Sequence, residues 1–334
     1  VMKKYIVIAD HGIGDLMMSL RPIINLYYQS KKNGFGLTLL VKSKFESDIF
    51  KNLLPTYDIE TIYPKNKRLL SRLKLLIILR RNAKKVFFIH SSIGIRTYLA
   101  GLIFFPIKVN LPSSISLNLA FYSFINTSIF IHKLEKYSAI TGLDKDFCEP
   151  IKIYENGELT QKKKKNIILC PGSTPEESHK RWPTRNFINL SKQLRLGFPK
   201  HNIIVLGSSS DKECIEEICS SDENLQSFVQ LEAKEFISVI KESCVVISGC
   251  TGTAHVANQL NTNTITIFGP TDFRVTGPKG MHARNLSAEV DCGPCYSVNY
   301  RFGCGNPICM DQITPEIIYN EIVKLFKKNT EYDI

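Results

Sequence analysis

The chain has 334 residues, too many for one ordinary hydrophobic core and enough for two domains. Its composition, 43% hydrophobic and 22% charged, excludes a largely disordered chain; the longest apolar region, Leu111–Ile131, is broken by Pro112, Asn118 and Asn126 and falls short of a membrane span. The formal net charge of +12 resides in the first half: there are 27 Lys/Arg and 12 Asp/Glu up to Lys165, but 16 and 19 beyond it. Such an excess suits either a solvated basic surface or attraction to a polyanion, lipid or nucleic acid. The only apolar run near the start, Tyr5–Ala9, lacks cleavage-type residues after it, so no signal peptide is expected and the protein reads as cytoplasmic.

In chain order, Tyr5–Asp10 is a β-branched strand, His11–Asp15 a glycine turn, and Leu16–Tyr28 continues at helical spacing. Gly36–Val41 and Lys85–His90 are further strands. Between the last two, Lys65–Lys85 mixes leucines with cations, a pattern that suits a helix on an anionic membrane surface better than a groove reader of nucleic acid; the apolar Leu99–Phe105 region would add to that contact. The polar, lysine-rich stretch from Gly157 to Lys165 reads as a linker, dividing the chain into domains 1–160 and 161–334. A second alternating series follows: strand Asn166–Cys170, helix Arg185–Arg195 closed by Gly197, strand Asn202–Gly207, a helix from about Asp211, helix Ala233–Ser243, strand Cys244–Gly249, helix Thr253–Leu260, strand Thr264–Gly269 and a terminal helix Pro315–Lys328. Alternating strands and helices predict α/β architecture with parallel sheets, two Rossmann-like domains facing across a cleft, with ligands at the carboxyl ends of the strands.

Three constellations carry chemistry. In Gly12-Ile-Gly-Asp15, Gly12 and Gly14 allow close approach of a ligand to the backbone, and Asp15 is either a helix cap or a general base. The loop Cys170–Pro183 offers Ser173, Thr174, Lys180 and Arg181 beside the only tryptophan; it suits a diphosphate, or is a polar surface loop whose Trp-Pro pair packs the next helix. In Ser248–His255, a strand runs into a short helix, so the N–H groups of Thr251, Gly252 and Thr253 and the side chain of His255 can meet an anion.

Gly-x-Gly-Asp before a helix, Pro-Gly-Ser with a downstream Lys-Arg-Trp-Pro, and Thr-Gly-x-x-His-x-Ala after an apolar strand occur here in that order. With these motifs the sequence resembles glycosyltransferase family nine, the heptosyltransferases of lipopolysaccharide core assembly, of GT-B architecture. The resemblance is strongest from Ile168 to Gly277. It implies an inverting transfer of heptose from ADP-heptose to a lipopolysaccharide-type acceptor. Asp15 would be the base in an acceptor-binding first domain; Lys180, Thr251, Gly252 and His255 would hold the donor phosphates, and Asp211 or Glu213 its ribose. Two positions depart from the family pattern: Cys250 stands where many members have Asp, and Pro175-Glu176 where a threonine pair is common. These keep open a different sugar or a UDP-linked donor; a second enzyme reading of the same fold is a nucleotide-sugar epimerase, and outside enzymes the rival is a basic membrane- or nucleic-acid-binding module, although no nucleic acid is expected. No Asp-x-Asp of metal-dependent transferases is present, so catalysis is expected to need no cofactor.

Ten cysteines without a secretory signal argue against a disulfide framework. Four of them, Cys292, Cys295, Cys304 and Cys309, crowd near the C-terminus and could form a structural zinc or iron site.

Overall fold

A computed structural model describes residues 2–66, 69–89, 100, 102–104, 107, 109–113, 122–126, 132–143, 165–295 and 306–328. The chain divides into two compact units, Val1–Ile151 and Lys152–Ile334. The linker expected at 157–165 lies almost wholly outside the described residues.

The first unit is built on strands β1 (Lys4–Ala9), β2 (Gly36–Val41), β3 (Glu60–Ile62), β4 (Ala83–Phe88), β5 (Val109–Ser113) and β6 (Tyr122–Asn126). They form one sheet in the order β3-β2-β1-β4-β5-β6, every pair parallel. Parallel neighbours need crossovers, which the helices supply: α1 (Ile13–Met18), α2 (Leu20–Lys32), α3 (Lys44–Leu53), α4 (Leu69–Arg80) and α5 (Lys133–Thr141). All six residues of β2 are buried, as expected for a strand covered on both faces. The strand read at Lys85–His90 begins earlier, at Ala83, and ends at Phe88.

The single helix expected from Leu16 to Tyr28 is two helices. Pro22 has no N–H to give the Met18 carbonyl, and its ring would press on that carbonyl. The chain breaks at buried Ser19, whose amide and hydroxyl both return to the Leu16 carbonyl. The Lys65–Lys85 segment is likewise not one helix: among its described residues Leu69–Arg80 is helical, and Lys84 and Lys85 are exposed on β4.

The second unit repeats the plan with β7 (Asn166–Cys170), β8 (Asn202–Gly207), β9 (Gln226–Val229), β10 (Val245–Gly249), β11 (Asn263–Phe268) and β12 (Ala283–Ser287), in the parallel order β12-β11-β10-β7-β8-β9. Its helices are α6 (Thr184–Gly197), α7 (Lys212–Ser220), α8 (Ala233–Lys241), α9 (Gly252–Gln259), α10 (Phe273–Thr276), α11 (Ile308–Asp311) and α12 (Pro315–Lys328). In α12, Ile318, Ile322, Leu325 and Phe326 fall on one stripe, all buried against the core that includes Leu190 and Leu194 of α6. In both units strand order reverses beside the first strand, between β1 and β4 and between β7 and β10. In sheets of this kind ligands bind at that reversal, outside the carboxyl ends of the strands.

Candidate active site

In the first unit, β1 ends at Ala9 and the chain turns through Asp10, His11 and Gly12 into α1. Gly12 is the N-cap residue, and a Cβ added there would meet nothing within 4 Å. Its backbone is therefore open on one side. Gly14 and Asp15 lie in the first turn of α1. Asp15 does not cap the helix, because its carboxylate is turned to α5. Oδ1 accepts from Lys133 Nζ at 2.8 Å and from the Tyr137 hydroxyl at 2.6 Å. The two donors stand one helical turn apart and so reach the same atom. The ring of His132, accepting from Leu134 N, caps the start of α5, and Gly142 in the left-handed region (φ 72°) closes its end.

Burial pushes the Asp15 carboxyl up. The charges of Lys133 and His11, and the hydrogen bonds from Lys133 and Tyr137, outweigh it and hold the group well below the usual carboxylate range. Asp15 is thus ionised throughout the neutral range. Behind Lys133, Lys136 is buried, and burial and the Lys133 charge lower its pKa. Nothing in the sequence around Asp15 points to Lys133 and Tyr137; the one signal is their i, i+4 spacing.

In the second unit, two loops meet at the strand-order reversal. After β7, residues Pro171–Thr174 lead into a 3₁₀ turn, Pro175–Lys180, and then to Trp182. The indole is buried, donates to the Ile313 carbonyl at 2.6 Å and packs edge-on against Phe187, 4.8 Å between ring centres. This tryptophan anchors the loop. Arg181 folds back over the loop: Nε donates to Ser173 Oγ (3.1 Å), and Nη2 donates to the Ser173 carbonyl (2.8 Å) and to Asp211 Oδ1 (3.1 Å). Asp211 Oδ2 accepts from the amide and hydroxyl of Ser208. Both oxygens of Asp211 therefore accept hydrogen bonds from the protein. Of the two carboxylates considered for the ribose, Asp211 is buried and Glu213 is exposed in the first turn of α7.

Lys180 is buried, with its ammonium 2.9 Å from Glu177 Oε1. Thr174 is exposed and Ser173 half-buried. The Lys180 carbonyl would lie 3.2 Å from a Cβ at Gly249, so the end of β10 rests directly on this turn. From Gly249 the chain enters α9 through Cys250 and Thr251. The Thr251 amide, expected to be free for an anion, instead donates to the Gly249 carbonyl at 2.8 Å. The tight reversal around Cys250 uses it up. Thr251 Oγ1 shares a hydrogen bond with Ser248 Oγ. The amides of Gly252 and Thr253 open α9 and, like all first-turn amides, have no intrahelical carbonyl to reach. His255 is buried one turn further on. Within this unit the turn that carries Lys180 thus abuts the end of β10, from which Gly252 and Thr253 open α9, whose dipole favours an anion at its start.

Of the cysteine cluster, Cys292 is exposed, Cys295 half-buried, and Cys309 buried in the apolar core on α11, where its sulfur crowds Gly269; Cys304 lies outside the described residues. Among the described residues no three His, Cys, Asp or Glu side chains gather as a metal site, and no helix is long and apolar enough to cross a membrane.

The profile of Glycosyltransferase family 9 (heptosyltransferase) matches residues 132–305, from the cap of α5 through the second unit to the cysteine segment. The chain belongs to glycosyltransferase family 9. Lipooligosaccharide heptosyltransferase 2 of Campylobacter jejuni is 26% identical over 208 residues, 59% of this chain and 63% of that protein, so the match spans just under two thirds of the curated relative. Among solved structures, E. coli ADP-heptose lipopolysaccharide heptosyltransferase II superposes with a TM-score of 0.71 at 18% identity, over 98% of this chain and 99% of that one. E. coli heptosyltransferase WaaC with ADP gives 0.67 at 13% identity, over 96% and 99%. The GT-B class that the family resemblance implied is borne out by these neighbours and by the two Rossmann-ordered sheets.

Proposed function

We propose that this family 9 chain is an inverting heptosyltransferase that moves heptose from ADP-heptose onto an inner-core lipopolysaccharide or lipooligosaccharide acceptor. The observation that carries the reading is the ionised Asp15 at the carboxyl end of β1, held on one oxygen by α5 and placed where the family has its base. Asp15 takes the proton of the acceptor hydroxyl as that oxygen bonds to the anomeric carbon. The bond from that carbon to the diphosphate breaks with its electron pair on the nucleotide. Lys180 and the amides of Gly252 and Thr253 meet the charge that develops on the diphosphate, and no divalent cation enters the step. Lys180 leaves Glu177 for the phosphate, and Glu213 takes the ribose hydroxyls. The adenine nucleotide is favoured because the solved neighbours are described with ADP-heptose and with ADP. Acceptor-dependent release of ADP from ADP-heptose tests the assignment.

The acceptor is a lipid glycan, and α4 supplies a means of reaching it at an anionic membrane surface. Leu76 and Leu79 anchor the helix, while Leu69, Leu70, Ile77 and Ile78 stand exposed among Lys74, Arg80 and Arg81. Arg72 pairs with Asp10 at 3.2 Å, tying α4 to the loop that leads to Asp15. Each cation near an anionic surface adds about 1 kcal/mol at low salt. The chain is expected to sediment with phosphatidylglycerol vesicles at low salt and to be released at high salt. Replacing Leu69, Leu70, Ile77 and Ile78 with serine is expected to abolish sedimentation, and unchanged sedimentation of that variant would remove the helix from this role.

A structural zinc or iron at the cysteine cluster is proposed from the Cys292–Cys295 pair. Two thiols at Cys-x-x-Cys spacing on one accessible loop suit a soft cation, and Cys309 would have to turn its sulfur out of the core to join them. Elemental analysis is expected to find about one metal per chain, lost in Cys292→Ser with Cys295→Ser. A metal-free chain of full thermal stability would end the proposal.

A further inference from the structure

The described hydrogen bonds to the Asp15 side chain are unevenly divided. Lys133 and Tyr137 both donate to Oδ1, at 2.8 and 2.6 Å, and Oδ2 receives none. A carboxylate has room for about four donors, shared between its oxygens, so this loading is selective. The donors are not chance surface contacts. Tyr137 is fully buried, and Lys133 and Asp15 side chains are about one-fifth exposed. Both come from α5, which is capped at each end and packs on α1 and α2.

We propose that Lys133 and Tyr137 are positioning residues which hold Asp15 by Oδ1 and leave Oδ2 as the oxygen that takes the acceptor proton. The inference rests on the reading of Asp15 as the base. During transfer the acceptor O–H bond breaks, its proton goes to Oδ2, the acceptor oxygen bonds to the anomeric carbon, and the electron pair of the bond to phosphate leaves with the nucleotide diphosphate. A carboxylate fixed in this way cannot rotate out of line with the hydroxyl, and fixed orientation is what makes a general base effective. The choice of oxygen also sets the strength of the base. Lys133 keeps the group charged as the acceptor approaches, while the oxygen that reacts carries no competing donor.

The groups facing Asp15 are His11, from the loop after β1, and Lys133 and Tyr137 from α5; Lys136 lies behind Lys133 on the same helix. Burial raises the Asp15 pKa, and Lys133, His11 and Tyr137 lower it. Removing Lys133 or the Tyr137 hydroxyl takes away a lowering influence, so the folded pKa moves up. The acid limb of the pH–rate profile, where Asp15 becomes protonated, then moves to higher pH.

The test uses the full chain with ADP-heptose and a deacylated inner-core oligosaccharide, comparing Tyr137→Phe, Lys133→Met, Lys133→Arg and Asp15→Asn. Expected for Tyr137→Phe and Lys133→Met is a fall in kcat of about 10- to 100-fold, smaller than the roughly 10²- to 10⁴-fold that the base itself supplies. The KM for ADP-heptose stays put, the acid limb rises, and Lys133→Arg recovers much of the rate. Carboxyl-labelled NMR of Asp15 gives a second readout independent of turnover, with its titration midpoint higher in Lys133→Met than in wild type. Should Tyr137→Phe and Lys133→Met keep the wild-type kcat and acid limb while Asp15→Asn is inactive, the positioning role falls and the base assignment stands. Full activity in Asp15→Asn would overturn the base assignment itself, and the inference with it. Tyr137→Phe alters a buried side chain; if it does not fold, Lys133→Met at the more accessible site decides the matter.

Discussion

Asp15→Asn is expected to lose transfer by 10²- to 10⁴-fold, roughly the contribution of a general base, while keeping its affinity for ADP. The asparagine carbonyl still accepts from Tyr137, so the local packing survives and the loss reports on proton transfer. What disappears is the charge. Lys133 then stands next to buried Lys136 without its counter-ion, which is expected to lower stability by roughly 1–2 kcal/mol, a cost moderated by partial exposure of the pair. The residues proposed to hold the nucleotide, Lys180, Gly252, Thr253 and Glu213, belong to the second unit, whereas Asp15 belongs to the first. Isothermal titration with ADP and initial-rate measurements on the same preparation separate the two effects. A variant that transfers at a tenth of the wild-type rate or better would show that Asp15 is not the base.

The second large effect is expected at Gly172. A Cβ there would fall on the carboxylate of Asp211, inside contact distance of all three of its terminal atoms. A flexible side chain would swing aside at little cost, but this one is fastened. Oδ1 is bound to Arg181 and Oδ2 to the amide and hydroxyl of Ser208, and Asp211 is buried. Gly172→Ala must therefore break a largely buried ion pair or push the loop after β7 away from α7. We expect a loss of about 2–4 kcal/mol from the combination of overpacking and the broken pair. That corresponds to a fall in Tm of roughly 5–15 °C. Since Arg181 also fixes Ser173, the displaced loop is expected to bind ADP at least about tenfold more weakly. Differential scanning calorimetry and ADP titration check both; a variant with unchanged Tm would mean that Asp211 yields freely and does not set the loop.

The strands that carry the site, β1, β7 and β10, are mainly β-branched or apolar and almost wholly buried, each with a glycine at its end or within three residues of it, and both signals are local. The strands β3, β9 and β12 escaped notice because they are short and partly exposed. Glu60, Gln226, Ser227 and Arg284 give them no apolar alternation to detect. The division of the first helix was legible in Pro22, whose missing N–H dictates it, but hydrophobic spacing ran on across the break. The motif residues Asp15, Lys180 and Gly252 were visible because glycine, charge and strand end coincide in a few residues. Their partners were not. Lys133 lies 118 residues beyond Asp15, and Asp211 lies 30 beyond Arg181, so no local pattern links them. Asp211, whose position suits a ribose ligand, is also held by Arg181 and Ser208. Spacing groups Cys309 with the other thiols, whereas α11 turns it into the core beside Met310.

The measurement that bears most directly on the central claim is release of ADP from ADP-heptose by the wild-type chain, with and without an inner-core acceptor lacking its heptose, followed by mass analysis of the glycan. A heptosyltransferase of this design releases ADP only when the acceptor is present, and the glycan gains one heptose in a bond of inverted anomeric configuration. Absence of release from ADP-heptose, alongside transfer from a UDP-linked sugar, would contradict the donor assignment. Release that ignores the acceptor would contradict the transferase itself.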